Sequence, residues 1–595
     1  MLWSVVGIIV VVLALGGGFY LWFHKQVGAA NARIDPSIIA ALKEKPSTTS
    51  TSAGSTTTLA GGQTSTSGTS STASGDTTTT ASLQSPSAMN IVLLGYDKRA
   101  PGSTEVTEGR SDVIILVHID PEKGFLSLLS VPRDLRTEVE GYGHRKINAA
   151  YAYGGGALLI RTIQDRLGVD LDHYIAVDLT AFKAITDSLG GVYVDVDRTY
   201  NDGKIDLFPG YQLLDGLNAE RFCRTRHDLN IDFGRSARQQ RYLSAVRQQV
   251  MKWNLPLKLP GLIKTIFQYA DTDLSANEVL KLAYWVEKLD SSGIKRGQIT
   301  GPTGSINGSF YILPSDQQIA DSVKDFFTPP TPAQATTNAG SSGSSSSAGT
   351  VAALTPTDLS GITLDVVNAT GRAGQAAMAG IWLDRQGASL EGVSNADAVV
   401  NGPAAVKYSG SRGDDAQKVA QALGIQQVEK SPGVSGITVV LGDAYTFDGA
   451  KLSGTSASAL RLSSWQALQK QAGITLMAPS YVPSDFSYSF DRSYDLNTGN
   501  GTKPAVRVGY RYNTEDLYAG VSASSWTGAP LAGPGVKVQV GDVTYTVVGA
   551  VNKPDHVWWV KDGLLYWVSN TIFGDMSREE MLAMAVSCVP VTGAQ

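Results

Sequence analysis

Between residues 90 and 196 the sequence alternates between a strand-like and a helix-like hydrophobic period, and a chain patterned this way has few means of burying its apolar surface. NIVLLGYD is an apolar run that ends at Gly95 and Asp97. DVIILVHID and FLSLLSV flank the turn-like PEKG and read as two strands. ALLIRTIQDRLG has helical spacing and stops at Gly168; HYIAVDL, TAFKAITDSLGG and VYVDV then repeat the order strand, helix, glycine, strand. Helices alternating with strands cover both faces of a sheet, so the pattern predicts a three-layer α/β/α unit with a mixed sheet over residues 89–327.

At 595 residues the chain is too long for one core. A Ser/Gly/Pro-rich linker over 328–357 leads to a small α/β unit over 358–446, in which ITLDVVN, a glycine turn, a helix and ITVVLGD follow one another. A further small α+β unit over 465–595 opens with a helix, continues through AVRVGYRYN, VKVQVG and HVWWVKDGLLYWVSN, and closes with SREEMLAMAVSC. At the other end, residues 2–23 (LWSVVGIIVVVLALGGGFYLWF) carry no charge and are long enough to cross about 30 Å of hydrocarbon. This reads as a single-pass transmembrane anchor, since a cleaved signal has a shorter apolar run of roughly 7–15 residues. Residues 24–88, dominated from 47 by Ser, Thr, Gly and Ala, read as a stalk that holds the rest of the chain outside the cytoplasm. Lys25 behind the run, with no basic residue before it, argues weakly for the opposite orientation.

A net charge of −5 argues against nucleic acid as a partner. Cys223 and Cys588 fall in different units and form no disulfide framework, and the histidines contain no HExxH zinc pattern. Anion binding must therefore be local, and residues 221–241 (RFCRTRHDLNIDFGRSARQQR) hold six arginines against two acids. Wound as a helix, residues 234–253 place Tyr242, Val246, Val250 and Trp253 on one stripe that Arg235 and Gln239 extend. Those two polar residues need buried partners, either a structural carboxylate or a ligand anion. Arg241 and Arg247 point away from the stripe and read as a solvated face. Arg224 and Arg226 alternate, which in an extended segment puts both forks on one side. Asp97 and Asp112, near Arg99 and Arg110, end and begin strands; two acids converging on arginines suit a divalent cation shared with a diphosphate.

The motifs GYDKR, GRSDVIILVHID, LLSVPRDL, RKINAAYAYGGG, DHYIAVDLTAFK, RTRHD and DFGRSARQQ follow in this order between residues 90 and 253 and resemble those of the LytR-CpsA-Psr family of cell-envelope proteins. The resemblance implies that Asp97 and Asp112 hold magnesium (or manganese), and that Arg110, Arg133, Arg224, Arg226 and Arg235 grip the pyrophosphate of a polyprenyl-linked substrate. Arg99, Lys146, Arg238 and Gln239 fall in the same motifs and join the pyrophosphate set, while Asp97, Arg110, Arg226 and Asp232 are expected at the chemistry. The implied activity is transfer of a secondary wall glycopolymer, such as teichoic acid, from a polyprenyl-diphosphate carrier to peptidoglycan at the outer face of a cell membrane. The base at the acceptor hydroxyl is Asp97, Asp112 or Asp232. No Ser-His-Asp set is evident. AERFCRTR departs from the family, which tends to have smaller or apolar residues before the alternating arginines. Residues 365–377 (DVVNATGRAGQAA) resemble the C-terminal domain often appended to the family, with Asn368, Gly371 and Gly374 matching its pattern. Read as a phosphate loop, GRAG lacks the lysine and further glycines, so a strand-to-helix turn is the simpler reading. The alternatives are a lipid-diphosphate hydrolase that uses water as acceptor, and a non-catalytic envelope regulator or wall-binding protein. Since every motif lies before residue 254, the C-terminal units are expected to be dispensable for chemistry.

Overall fold

The computed structural model describes residues 21–46, 86–97, 110–201, 206–225, 231–252, 259–289, 293–330, 350–351, 354–452, 461–550 and 553–592. The first unit is built on strands β1 (Met89–Asp97), β2 (Arg110–Asp120), β3 (Phe125–Ser130), β4 (His173–Asp178), β5 (Ala270–Thr272) and β6 (Ile294–Gln298). They lie in the order β5-β4-β1-β2-β3-β6. β1 runs parallel to β4 and antiparallel to β2, while β6 runs parallel to β3, so the sheet is mixed.

Besides a helical segment at residues 21–31, the helices of this unit among the described residues are α1 (Pro36–Lys43), α2 (Asn148–Leu167), α3 (Leu179–Ser188), α4 (Gly216–Arg224), α5 (Ile231–Lys252), α6 (Leu259–Tyr269), α7 (Ala276–Lys288) and α8 (Asp316–Phe327). Alternate residues of β1 feed opposite faces, as a strand's period of two requires. Val92 and Leu94 pack with α1, α2 and α8, whereas Met89 and Ile91 pack with Trp285 of α7. α2 ends where the sequence predicts, at Gly168 in the left-handed conformation with φ 65°.

The start of the expected stalk folds instead. Residues 21–31 are helical, and Phe23, Val27 and Ala30 pack against Phe267 of α6 and Ala276 of α7. Asn31 Nδ2 donates to the carbonyls of Asp273 and Leu274, each at 3.2 Å, and Arg33 Nε pairs with Asp271 at 2.7 Å. Ile38 and Ala41 of α1 join the main core, and Gln164 donates to the Glu44 carbonyl at 2.6 Å. Composition explains the departure: residues 23–42 carry apolar side chains at helical spacing, which the Ser/Thr tract lacks. That tract, 47–85, lies outside the described residues, and its flanks at Pro46 and Pro86 both adjoin the first unit. All but the last three residues of the apolar run 2–23 also lie outside, and no helix among the described residues is long and apolar enough to cross a membrane.

Beyond residue 354 two sheets are present, but they share one core. Five strands, with Thr363–Asn368 and Ile437–Leu441 central, form a mainly parallel sheet, and seven strands between Phe486 and Ser569 form an antiparallel one. A continuous apolar cluster runs from Leu359 through Trp382 and Tyr510 to Val591. The boundary drawn near residues 446–465 therefore divides two sheets and not two cores. A fully buried carboxylate fastens them: Glu579 of α10 (Arg578–Val586) accepts from Gly374 N at 2.8 Å and Ala377 N at 3.0 Å, at the start of α9 (Gln375–Arg385). α9 has no side-chain cap of its own, so the distant carboxylate satisfies its first amides and favours its dipole. This places the GRAG segment in a strand-to-helix turn.

This C-terminal unit also docks on the first. Arg507, with no exposed side-chain surface, pairs with Asp195 at 2.7 Å, whose other oxygen accepts from Trp567 Nε1 at 3.1 Å. Tyr193 and Tyr211 share a cluster with Leu496, Leu565 and Trp567, and Arg296 of β6 pairs with Asp555 at 2.7 Å.

Candidate active site

The site begins with a defect in the β1–β2 ladder. Gly95 pairs with Val113 and Tyr96 with Ser111, which leaves Asp112 as the extra residue of a β-bulge. A bulge re-aims the side chain it carries. It also crowds the partner strand: a Cβ on Gly95 would sit 2.9 Å from Val113 Cβ, so the position accepts only glycine without a shift. Asp112 Oδ1 accepts from Arg133 Nη1 at 2.6 Å, and its Oδ2 lies 3.9 Å from Arg224 Nη2.

From this carboxylate the charges continue in both directions. Arg133 Nε lies 3.4 Å from Asp134 Oδ2, and Asp134 Oδ1 is 2.6 Å from Lys146 Nζ. On the other side Arg224 Nη1 meets Glu220 Oε1 at 2.8 Å, while Glu220 Oε2 is 3.5 Å from Lys183 Nζ. Four cations therefore face three carboxylates in this chain of contacts, before Arg235 is counted. Among the described residues of this chain of contacts the cations exceed the carboxylates by one, and Asp178 also lines the adjoining cavity.

Arg235 is 3% exposed and lines a cavity of about 240 Å³ together with Asp112, Glu220 and Arg224. Leu93, Val113, Ile115 and Val177 of the sheet, Phe182 and Ile185 of α3, and Tyr242, Leu243 and Val246 of α5 supply its apolar wall. Along α5 the lining passes from Arg235 and Gln239 to Val246, a run of about 16 Å at the helical rise. One end of the cavity is thus suited to a polyanion and the other to a hydrocarbon. The Tyr242 hydroxyl is hydrogen-bonded to Thr186 Oγ1 at 2.7 Å, and burial pushes its ionisation far above the ordinary phenol range. Burial likewise pushes the Tyr96 phenol up to about 12 and the Cys223 thiol up to about 12, so both stay protonated near neutral pH.

Of the residues predicted from sequence, Asp112, Arg133, Lys146 and Arg224 share one network, and Arg235 and Gln239 line the cavity beside it. Arg238 is fully buried behind them, donating to the carbonyls of Phe222 at 3.1 Å and Thr225 at 2.6 Å. It thereby satisfies the open end of α4 and fixes Arg224, the last residue of that helix. Gln239 adds a bond to the Cys223 carbonyl at 3.4 Å. Arg99 and Arg226 lie outside the described residues, as do the side chains of Asp97, Arg110 and Asp232; the backbones of Asp97 and Arg110 pair directly across the two strands.

Two expectations need correction. Arg241 does not face solvent: its Nη2 donates to the carbonyls of Asn570 and Thr571 at 3.0 and 2.9 Å. Arg247 reaches the Leu289 carbonyl at 2.5 Å. Helical phase found the direction of both side chains correctly, but the surfaces they meet belong to elements it cannot see. Sequence reasoning also passed over Glu220, Asp134 and Lys183. The first two had a signal, since Glu220 stands four residues before Arg224 on one helix and Asp134 directly follows Arg133. Cys223 and Cys588 are both free and buried.

Residues 54–326 match the model of the LytR_cpsA_psr family, and residues 361–445 match that described as LytR cell envelope-related transcriptional attenuator. A polyisoprenyl-teichoic acid–peptidoglycan teichoic acid transferase of Halalkalibacterium halodurans, TagU, is 31% identical over 242 residues, covering 40% of this chain and 77% of the relative. The chain belongs to the LytR-CpsA-Psr family. The corresponding transferase of Enterococcus faecalis is 28% identical over 241 residues, 40% of this chain and 78% of the relative. The regulatory protein MsrR of Staphylococcus aureus is 33% identical over 196 residues, 32% of this chain and 58% of that protein, so LytR-CpsA-Psr proteins carry names of both kinds. Among solved structures, that of Bacillus subtilis TagV is similar at 28% identity and a TM-score of 0.37, over 40% of this chain and 96% of the other. The seven-stranded sheet lies beyond both matched spans.

Proposed function

We propose that this LytR-CpsA-Psr protein is a membrane-anchored, metal-assisted phosphotransferase that moves a glycopolymer from a polyprenyl-diphosphate carrier onto peptidoglycan outside the cytoplasm. The observation that carries the reading is the single cavity that runs from Arg224 and Arg235 to Tyr242 and Val246 and so matches a diphosphate joined to a hydrocarbon tail. The names of the Halalkalibacterium and Enterococcus relatives support the same class of donor and acceptor.

In this reading a sugar hydroxyl of peptidoglycan attacks the phosphorus that bears the glycopolymer. A new P–O bond forms, the P–O bond to the bridging oxygen breaks, and polyprenyl phosphate leaves with the electron pair while the hydroxyl proton passes to a carboxylate or water. Charge grows on the departing phosphate, where Arg133, Arg224 and Arg235 stabilise it. Tyr242, Leu243 and Val246 hold the tail and keep water from the reacting end.

Magnesium or manganese belongs to the proposal at Asp97 and Asp112. In support, the bulge presents Asp112 to both arginines, and β1 carries Asp97 two residues beyond the bulge's partner Gly95. A diphosphate that draws Arg133 and Arg224 onto its own oxygens leaves Asp112 free for a cation, which takes one or two carboxylates plus substrate oxygens. Bound there, the cation neutralises phosphate charge. Membrane anchoring rests on residues 2–23, with the packed helix 21–31 holding the catalytic unit close to that anchor.

The test is a product assay with the full chain in lipid nanodiscs, a polyprenyl-diphosphate glycan and an oligomeric peptidoglycan acceptor. Release of polyprenyl phosphate together with glycan on the acceptor is the expected result. Release without attachment makes the protein a hydrolase, and no release in either metal removes the enzymatic reading.

A further inference from the structure

A second cleft lies beside the charged network and is built differently from the first. It measures about 620 Å³, and the hairpin Arg136–Val139/Gly143–Lys146 forms one wall, with the C-terminal half of α2 and residues 313–316 forming the rest. Lys146, which closes the hairpin, belongs to the catalytic network through Asp134 and lies 5.8 Å from the ring of Tyr311. The hairpin's outer face therefore continues from the phosphate site into this cleft.

Several of the cleft's polar groups meet one another. His144 lies 3.3 Å from Glu138, Arg161 Nε 3.3 Å from Glu140, and Arg166 2.8 Å from Asp316. Donors and acceptors alternate with little net charge, which gives no attraction for a polyanion such as the donor's diphosphate. It suits a ligand rich in hydroxyl and amide groups, each of which both donates and accepts. The volume lies within the range that takes a small ligand and accommodates about two sugar rings.

At the hairpin tip an aromatic platform stands open to solvent. Tyr142 and Tyr153 stack at 4.2 Å with ring planes 12° apart, and both are more than 40% exposed. Gly141 and Gly143 flank Tyr142 with φ of 76° and 65°, a turn that only glycine forms easily and that lifts the ring from the surface. Phe310, also 43% exposed, stands on the neighbouring hairpin beside Tyr311. The C–H faces of pyranose rings stack on such open aromatic faces, and the phenol hydroxyls remain wet.

We infer that this cleft, together with the Tyr142–Tyr153 pair at the tip of the hairpin that walls it, binds the acceptor glycan strand of peptidoglycan and leads its hydroxyl to the phosphate site past Lys146. The inference rests on the transferase reading, so its test needs arms that fail separately. Full-length protein in nanodiscs is titrated with a defined tetrasaccharide of alternating N-acetylglucosamine and N-acetylmuramic acid, and transfer kinetics are measured with the same acceptor.

Tyr142→Ala is expected to weaken tetrasaccharide binding and raise the acceptor KM by roughly 3- to 10-fold, the loss typical of one aromatic stacking contact. The donor KM and equilibrium binding of the donor stay at the wild-type level, and Tyr142→Trp restores acceptor binding. Tyr153→Ala, which leaves the hairpin intact, gives the same split. Unchanged tetrasaccharide affinity in both alanine variants, or an equal rise in donor KM, overturns the inference. Tetrasaccharide binding that is lost in the variants while wild type transfers nothing sinks the transferase reading and leaves the glycan site standing.

Discussion

Two faces of one helix separate the parts of this molecule. The face of α5 that carries Arg235, Gln239, Tyr242 and Val246 lines the cavity; the face that carries Arg241 and Ser244 meets the C-terminal unit, with Ser244 3.0 Å from Asp555. Both faces are polar in part and both are held by contacts, yet only the first lines the cavity proposed to take the substrate. Amphipathic phase tells which side of a helix faces its own core. It says nothing about a neighbour folded from residues more than 300 positions later, as Asn570 is from Arg241.

Arg235→Ala is the change expected to act most strongly on one face alone. Loss of a charge-assisted phosphate contact costs about 2–4 kcal/mol of transition-state stabilisation, a fall of roughly 30- to 1000-fold in turnover of the polyprenyl-diphosphate substrate. Steady-state rates of the folded variant read it, and a fall under threefold would place the anion site elsewhere.

Arg507→Ala acts on the other side. Removing one partner of the buried pair leaves Asp195 uncompensated and is expected to lower stability by about 3–5 kcal/mol in a denaturant titration. If stability stays within about 1 kcal/mol of wild type, the two units do not dock through this pair.

A smaller effect is expected from Arg241→Ala, which gives up three bonds to carbonyl oxygens, those of Asp195, Asn570 and Thr571. It should cost about 1–3 kcal/mol of stability while turnover changes by less than about threefold. Losses of activity equal to those of Arg235→Ala would erase the distinction between the faces. The variant should also shift acid sensitivity. Burial pushes the Asp555 carboxyl up, but the charges of Arg296 and Arg241 hold it below its ordinary value. A carboxyl lowered in the folded state adds stability above its unfolded pKa, and this is lost as pH falls through the lower folded value. Without Arg241 the folded value rises, so the contribution is smaller and its loss is complete at a higher pH.

The two cysteines give the mildest comparison. Cys223 borders the cavity and Cys588 lies in the C-terminal core, and burial raises both thiols. Iodoacetamide at pH 8 is expected to label neither in the folded chain and both after unfolding. Selective labelling of Cys588 would mean that the C-terminal unit opens by itself.

The sequence carried much of the first unit, because its apolar strands and glycine stops are local signals: β1 ending at Asp97, α2 stopping at Gly168, and the buried stripe of α5 through Arg235 and Gln239 are all legible in short windows. Asp112 is legible as a site residue from its place at the start of a strand, but its bulge is not, since a bulge exists only in the register between two strands. Arg238 is expected among the phosphate ligands from the motif it falls in; its contacts with the Phe222 and Thr225 carbonyls are not legible there, because they depend on how α4 and α5 cross. The packing of residues 24–46 was hidden by the Ser/Thr tract that follows, whose composition dominated the segment. The shared C-terminal core was hidden because Glu579 reaches an amide more than 200 residues away.

The claim that one cavity joins the phosphate grip to a lipid channel is tested most directly by equilibrium binding of geranylgeranyl diphosphate and of inorganic diphosphate to three forms of the full chain. Wild type should bind the prenyl compound more tightly than the inorganic one. Arg235→Ala should weaken both, whereas Val246→Trp, which fills the apolar end, should weaken the prenyl compound by about tenfold or more and leave inorganic diphosphate within about twofold. Equal affinity of the Val246→Trp and wild-type proteins for geranylgeranyl diphosphate would contradict the account, because the tail would then lie somewhere other than along α5.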